Sequence, residues 1–289
     1  GLITSTTKLL NESVLEMNTN NTSEPSSIRI NNNSKLIIEV GGTLEIFPGS
    51  RIILNGDNAI LEIKGNLIVH EGATFTFEGG SAGSGHVIFN IDKDDTPKDN
   101  ITLEVDSKIK FVGNNSNDRV MEVPADAVFW LENPQASFEI SNGFVALGRD
   151  ALLNIAIPVT MNNVRYYAES GSKARSIVLW GQKHNILDVE IENVKEGLQS
   201  FNAVGGWPLK LNNVEISGAD RGLLSEGKGA TLTYFESEGN IMGIHISGSI
   251  WPNTFQNPKV TGAIRGTLFT GSSASNLVIN KANYENNLE

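Results

Sequence analysis

The sequence predicts an all-β fold in which the chain winds as a solenoid of stacked parallel coils. Three observations carry this reading. One phrase recurs four times in the last third of the chain: Val189-Glu-Ile-Glu-Asn-Val-Lys-Glu-Gly197-Leu198, Val214-Glu-Ile-Ser-Gly-Ala-Asp-Arg-Gly222-Leu223, Phe235-Glu-Ser-Glu-Gly-Asn-Ile-Met-Gly243-Ile244 and, more loosely, Pro258-Lys-Val-Thr-Gly262-Ala-Ile-Arg-Gly266-Thr267. Its closing glycines are 25, 21 and 23 residues apart, the period of a repeat architecture whose units are a short strand and a turn. The inward positions align like with like, Ile186 with Leu211 and Leu232, and Val189 with Val214 and Phe235. A sandwich or barrel also uses short strands but has no reason to repeat its sequence in this way.

Residues 1–26 hold one short apolar stretch, Leu9 to Met17, and then a polar run of Asn, Thr, Ser and Pro. That composition predicts an N-terminal linker or cap, with one or two helical turns, covering the first coil. Residues 27–289 then form one β-helix domain. Within it a smaller apolar-polar-apolar phrase recurs at Leu44, Leu61, Phe75, Leu103, Met121 and Phe138, with gaps of 17, 14, 28, 18 and 17 residues. Each phrase points two side chains inward and one outward. Glycine, at 29 residues, is too frequent for long helices, and no segment after residue 26 sustains a helical period. About twelve coils at about 4.8 Å each give a rod on the order of 50–60 Å long.

The stretch Gly41-Gly-Thr-Leu-Glu-Ile-Phe-Pro-Gly-Ser-Arg-Ile-Ile-Leu-Asn-Gly56, followed by Ala59-Ile-Leu-Glu-Ile-Lys-Gly-Asn-Leu-Ile-Val-His-Glu-Gly72, resembles the opening coils of the pectin-lyase-like superfamily. It is most similar to those of large secreted or surface-attached bacterial proteins, and the later Asn-Val-Glu-Ile-Ser-Gly phrase is similar to that superfamily's rungs. The resemblance implies a right-handed parallel β-helix. It leaves function open, because polysaccharide lyases, hydrolases, phage tailspikes and non-catalytic adhesins share the scaffold.

Composition narrows the classes. A net charge of -11 argues against a nucleic-acid partner. The absence of cysteine removes disulfides, thiolate metal sites and cysteine nucleophiles. No apolar run approaches a membrane span, and the first residues lack the charged and apolar regions of a signal peptide. Gly1 and the terminal Leu288-Glu289 resemble cloning remnants, so a piece of a larger protein is expected, without its targeting signals.

The candidate ligand-binding residues are Trp130, Trp180, Trp207, Trp251 and Tyr234, which stand beside turns or insertions. Indole and phenol faces offer sugar rings apolar area with a polar handle; the bland alternative is that they cap the core or pin loops. Tyr166 and Tyr167 could extend such a face. The basic residues Arg165, Lys173, Arg175, Lys183 and His184 spread over two coils, and a catalytic alternative would bring Arg175, Lys183 and His184 to Glu190 as a uronate subsite with a base. Glu190, Glu215 and Glu236 form an outward file. It reads as a solvated face, as a Ca²⁺ ladder or as a source of a glycosidase-type carboxylate pair. Asp92, Asp94, Asp95 and Asp99 form an acidic loop that could take Ca²⁺ but lacks the glycine and closing glutamate of an EF-hand. No cofactor beyond that Ca²⁺ is expected. The expected function is a non-catalytic extracellular or cell-surface module binding a polysaccharide or cell-surface glycan, or acting as an adhesin. A polysaccharide lyase or glycoside hydrolase and a structural stalk are the alternatives.

Overall fold

The computed structural model describes residues 1–17, 26–79, 85–93, 97–169, 171–201, 207–227, 229–248, 253–270 and 277–288. The chain is a parallel β-solenoid with three faces per turn. About ten full turns lie between a thin first coil and an incomplete last one. Apart from one helical turn at Pro97–Asn100, the elements among the described residues are strands.

The first coil corrects an expectation. Residues 2–17 form strands rather than a linker with helical turns: Leu2–Ile3, Thr6–Leu9 and Val14–Met17 pair in parallel with Ser27–Asn31, Lys35–Ile38 and Thr43–Ile46 of the next coil. The alternation was masked because this coil has a neighbour on one side only. Leu2, Leu10 and Val14 remain exposed, so apolar residues do not mark the inward positions there. Pairing nonetheless satisfies the edge of the coil beneath.

From Ser137 to Glu238 one continuous strand serves the first and second faces of each turn. Ser137–Leu147, Val159–Ala168, Asn185–Glu192, Leu209–Ser217 and Ala230–Glu238 stack in register. The third face is built by Leu152–Ile155, Ser176–Trp180, Leu198–Phe201, Arg221–Glu226 and Met242–Ser247. The corner between first and second faces takes a single residue in the left-handed conformation: Asn142, Asn163, Asp188, Asn213 and Tyr234, with φ between 51° and 54°. Asparagine and aspartate tolerate this conformation best. Their side chains also link the turns, Asn163 Nδ2 donating to Asn142 Oδ1 at 3.1 Å and Asn213 Nδ2 to Asp188 Oδ1 at 2.7 Å.

The closing glycines of the repeated phrase are explained by close approach of the coils. A Cβ on Gly197 would lie 2.1 Å from the Gly222 carbonyl oxygen, one on Gly222 would lie 2.6 Å from that of Gly243, and one on Gly243 would lie 2.5 Å from that of Gly266. Each glycine therefore makes room for the next. Nearby, buried Asn240 accepts the Ala219 N–H at 2.7 Å and donates to the Ile216 carbonyl at 3.0 Å and the Ser237 hydroxyl at 2.7 Å. Asn287 does the same for Ala263 and Val260.

The core is one apolar column. Ile186, Leu211 and Leu232 stack as expected, as do Val189, Val214 and Phe235. Midway along, Phe75, Phe89, Phe111, Phe129 and Phe138 pack ring to ring at centroid distances of 4.7–6.4 Å. Such pairs add to their area burial when tilted or edge-to-face.

Candidate functional site

The third face gathers aromatic side chains outside the core. Trp130, Asn154, Val178 and Gln199 occupy one outward column in successive turns, and Trp180 and Phe201 occupy another. Trp180 is 43% exposed, yet its position is fixed. Its indole N–H donates to Asn154 Oδ1 at 2.6 Å, and its ring lies 5.0 Å from that of Phe201 at an interplanar angle of 32°. Trp130 is half-buried and donates to Glu132 Oε1 at 2.9 Å. Two of the tryptophans expected to meet a ligand thus share a face. Trp207 is exposed beside it, with the Lys183 ammonium 5.7 Å from its ring centroid. Tyr234 lies elsewhere, exposed at the left-handed corner between the first and second faces. Trp251 lies outside the described residues.

The basic cluster does not assemble around Glu190. Arg175 precedes the third-face strand Ser176–Trp180, Lys183 and His184 follow it, and Glu190 is on the second face. A five-residue strand separates the two ends by roughly 17 Å. His184 is buried, and among the described residues neither ring nitrogen has a hydrogen-bond partner. Burial pushes its pKa down to about 4, and the Trp180 carbonyl opposes this without reaching hydrogen-bond geometry. A neutral, enclosed imidazole with no partner is a packing residue, not a proton shuttle. Tyr166 is likewise fully buried and faces the core.

The glutamate file is real and bracketed by cations. Arg165, Glu190, Glu215, Glu236 and Lys259 align turn over turn on the second face. Lys259 pairs with Glu236. Arg165 binds Glu192 through Nε at 2.8 Å and Nη2 at 2.7 Å, with Glu190 Oε2 3.7 Å from Nε. Burial, then the Glu192 carboxylate, pushes Glu190 up to about 7, and burial followed by Glu236 raises Glu215.

The acidic loop is divided. Asp92 bridges antiparallel to Ala127, Asp99 sits in the helical turn, and Asp94 and Asp95 lie outside the described residues. This segment interrupts the third face, so that Val128 donates its N–H to the Ile91 carbonyl and not to the strand Ile101–Leu103 of the coil below. Among the described residues no three His, Asp or Glu side chains gather in a manner that would hold a metal ion.

A concavity that was not anticipated lies on the second face over three turns, with a volume of about 440 Å³. Arg119, Phe144 and Arg165 form one column; Glu122, Ala146 and Tyr167 form the next. Ala146 is the smallest of the six, and the hollow opens above it. Arg119 lies over the Phe144 ring at 5.7 Å and binds Glu122 Oε2 at 3.1 Å. Arg165 lies over Tyr167 at 4.9 Å. His86, 3.5 Å from Glu122, holds that carboxyl below its ordinary value against the pull of burial, and Arg119 adds to the effect. A β-bulge between Arg119 and Met121 turns Val120 into the core and aims Arg119 outward.

Comparison with known proteins assigns no family. No protein-family model matches the chain, and no curated protein or solved structure is significantly similar to it. Function therefore rests on the two outward surfaces. One is a fixed aromatic strip on the third face, and the other is a charged, aromatic-walled hollow on the second.

Proposed function

We propose that this protein is a non-catalytic carbohydrate-binding module, or the binding part of an adhesin, acting outside the cell or at its surface. The observation that carries the reading is Trp180, an exposed indole fixed by Asn154 and Phe201 on the same face as Trp130. A ring already held in place loses little freedom on stacking against a sugar, so more of the contact energy appears as affinity. A flat parallel sheet gives an extended polysaccharide several successive turns to lie along. The textural resemblance to secreted bacterial β-helices of the pectin-lyase-like superfamily supports the same reading and its extracellular setting. Affinity electrophoresis through gels containing neutral and acidic polysaccharides tests it: at least one glycan should retard the protein, and Trp180→Ala should abolish the retardation. Equal mobility of the two proteins in every glycan would remove the reading.

One observation favours a second reading, a glycoside hydrolase or lyase. Glu190, raised to about 7, stands beside Glu192 and Arg165, and a carboxyl that holds its proton toward neutral pH is what a general acid needs. Reducing-end release from retained glycans, lost in Glu190→Gln, would favour it over binding alone.

A further inference from the structure

We propose that the second-face hollow above Ala146 is a separate binding site for an amine-bearing sugar, and that it rejects anionic sugars. The inference does not depend on the third-face strip.

Its size suits a small ring. About 440 Å³ falls within the range of small-molecule sites, which combine apolar walls with a few oriented polar groups. The hollow exists because Ala146 is flanked by larger residues on three sides: Phe144 on its own strand, Glu122 in the turn below and Tyr167 in the turn above. Phe144 and Tyr167 offer aromatic walls. Their positions are held by guanidiniums, and each guanidinium is tied to a carboxylate.

Its charge selects the ligand. The two cations of the hollow are already neutralised in place, Arg119 by Glu122 and Arg165 by Glu192. An incoming uronate or sulfate would meet guanidiniums whose charge is already balanced and would bring a further anion beside Glu122, Glu169 and Glu192. The remaining charged group of the hollow is acidic. Glu169 lines the rim and has no side-chain hydrogen bond or ion pair among the described residues. A protonated amine on a sugar ring would find the Glu169 carboxylate on the rim while its ring faces the aromatic walls. The net charge of the chain, -11, would speed the approach of such a ligand at low salt.

Isothermal titration at low ionic strength tests this with three tetrasaccharides, a glucosamine oligomer, its N-acetylated counterpart and a galacturonate oligomer, and with tetralysine. The glucosamine oligomer should bind, weaken with added salt and bind at least about tenfold less in Ala146→Leu, which fills the hollow. Glu169→Gln, an exposed position where folding is not in question, should weaken it by roughly two- to fivefold. Trp180→Ala should leave it unchanged. Tighter binding of the galacturonate oligomer, equal binding of tetralysine, or indifference to both Ala146→Leu and Glu169→Gln would overturn the proposal. Loss of binding in Trp180→Ala would place the ligand on the third face and overturn it too. Failure of every glycan to bind the strip leaves these outcomes readable, because they are scored on the hollow alone.

Discussion

Asn154 accepts the indole N–H of Trp180 at 2.6 Å from one turn away, and it is itself 4% exposed. A nearly buried amide therefore sets the angle at which an exposed ring meets solvent. Replacing Asn154 with Leu should leave the ring in place but untethered. We expect about 1 kcal/mol loss of stability, greater acrylamide quenching of tryptophan fluorescence, and weaker glycan retardation than wild type without complete loss. Retardation equal to wild type would mean that the tether has no part in binding.

The glycine column makes a graded prediction. Gly222→Ala would force a Cβ to 2.6 Å from the Gly243 carbonyl oxygen, whereas at Gly266 the nearest atoms belong to side chains, the Asn287 amide nitrogen and Tyr284 Cδ1, both at 3.3 Å. Gly222→Ala should cost about 1–3 kcal/mol and Gly266→Ala distinctly less, read from urea midpoints at constant slope. Equal losses would contradict the close-approach explanation.

Two groups pull stability in opposite directions with pH and nearly offset each other in mildly acidic solution. Burial lowers folded His184 from near 6.5 to about 4, so the unfolded chain takes up a proton first as pH falls. Its contribution is full above 6.5 and lost between 6.5 and 4, by about 3 kcal/mol. Glu190 is raised from 4.5 to about 7, so its contribution is full below 4.5 and lost as pH rises through 7. Between pH 4.5 and 6.5 the two slopes oppose each other, so urea titrations of the wild type from pH 4 to 8 should show little dependence on pH there. His184→Leu should then lose stability as pH rises from 4.5 to 7 and Glu190→Gln should lose it as pH falls from 6.5 to 4, and unchanged profiles would refute the assignments.

Tyr166 is fully buried and, among the described residues, its hydroxyl has no hydrogen-bond partner. Burial alone raises its pKa. Removing an unsatisfied buried hydroxyl relieves a desolvation cost of about 1–3 kcal/mol, so Tyr166→Phe should raise the melting temperature. A lower melting temperature would show that the hydroxyl has a partner in solution.

The sequence discloses the scaffold where the turns repeat. Glu190, Glu215 and Glu236 align because each follows an inward residue at the same distance from a closing glycine, and the core files beside them are legible for the same reason. The hollow is not legible, for a local cause. At Val120 and Met121 two successive side chains face inward, which breaks the alternation that identifies Arg119 and Glu122 as outward neighbours of Phe144 and Ala146. Gly143 is the one available signal. A Cβ there would meet Val120 at 2.7 Å and the Asp118 carbonyl oxygen at 2.9 Å, so a glycine inside an alternating run marks the bulge opposite. The first coil is obscured differently, since a strand with one open side need not hide every apolar residue.

The left-handed corner residues have a consequence for how the rod can change. Between first and second faces the chain spends one residue per turn, at Asn142, Asn163, Asp188, Asn213 and Tyr234, and an insertion there would slide two faces out of register together. From third face back to first, the connections after Trp180, Phe201, Glu226, Ser247 and Thr270 hold four, seven, three, five and six residues. That edge tolerates variation in length turn by turn. It runs beside Trp180 and carries Lys183 and Trp207, so new loops can be grafted next to the aromatic strip without disturbing the stacked core. An engineer wishing to retarget the protein would lengthen that edge and leave the asparagine corner alone.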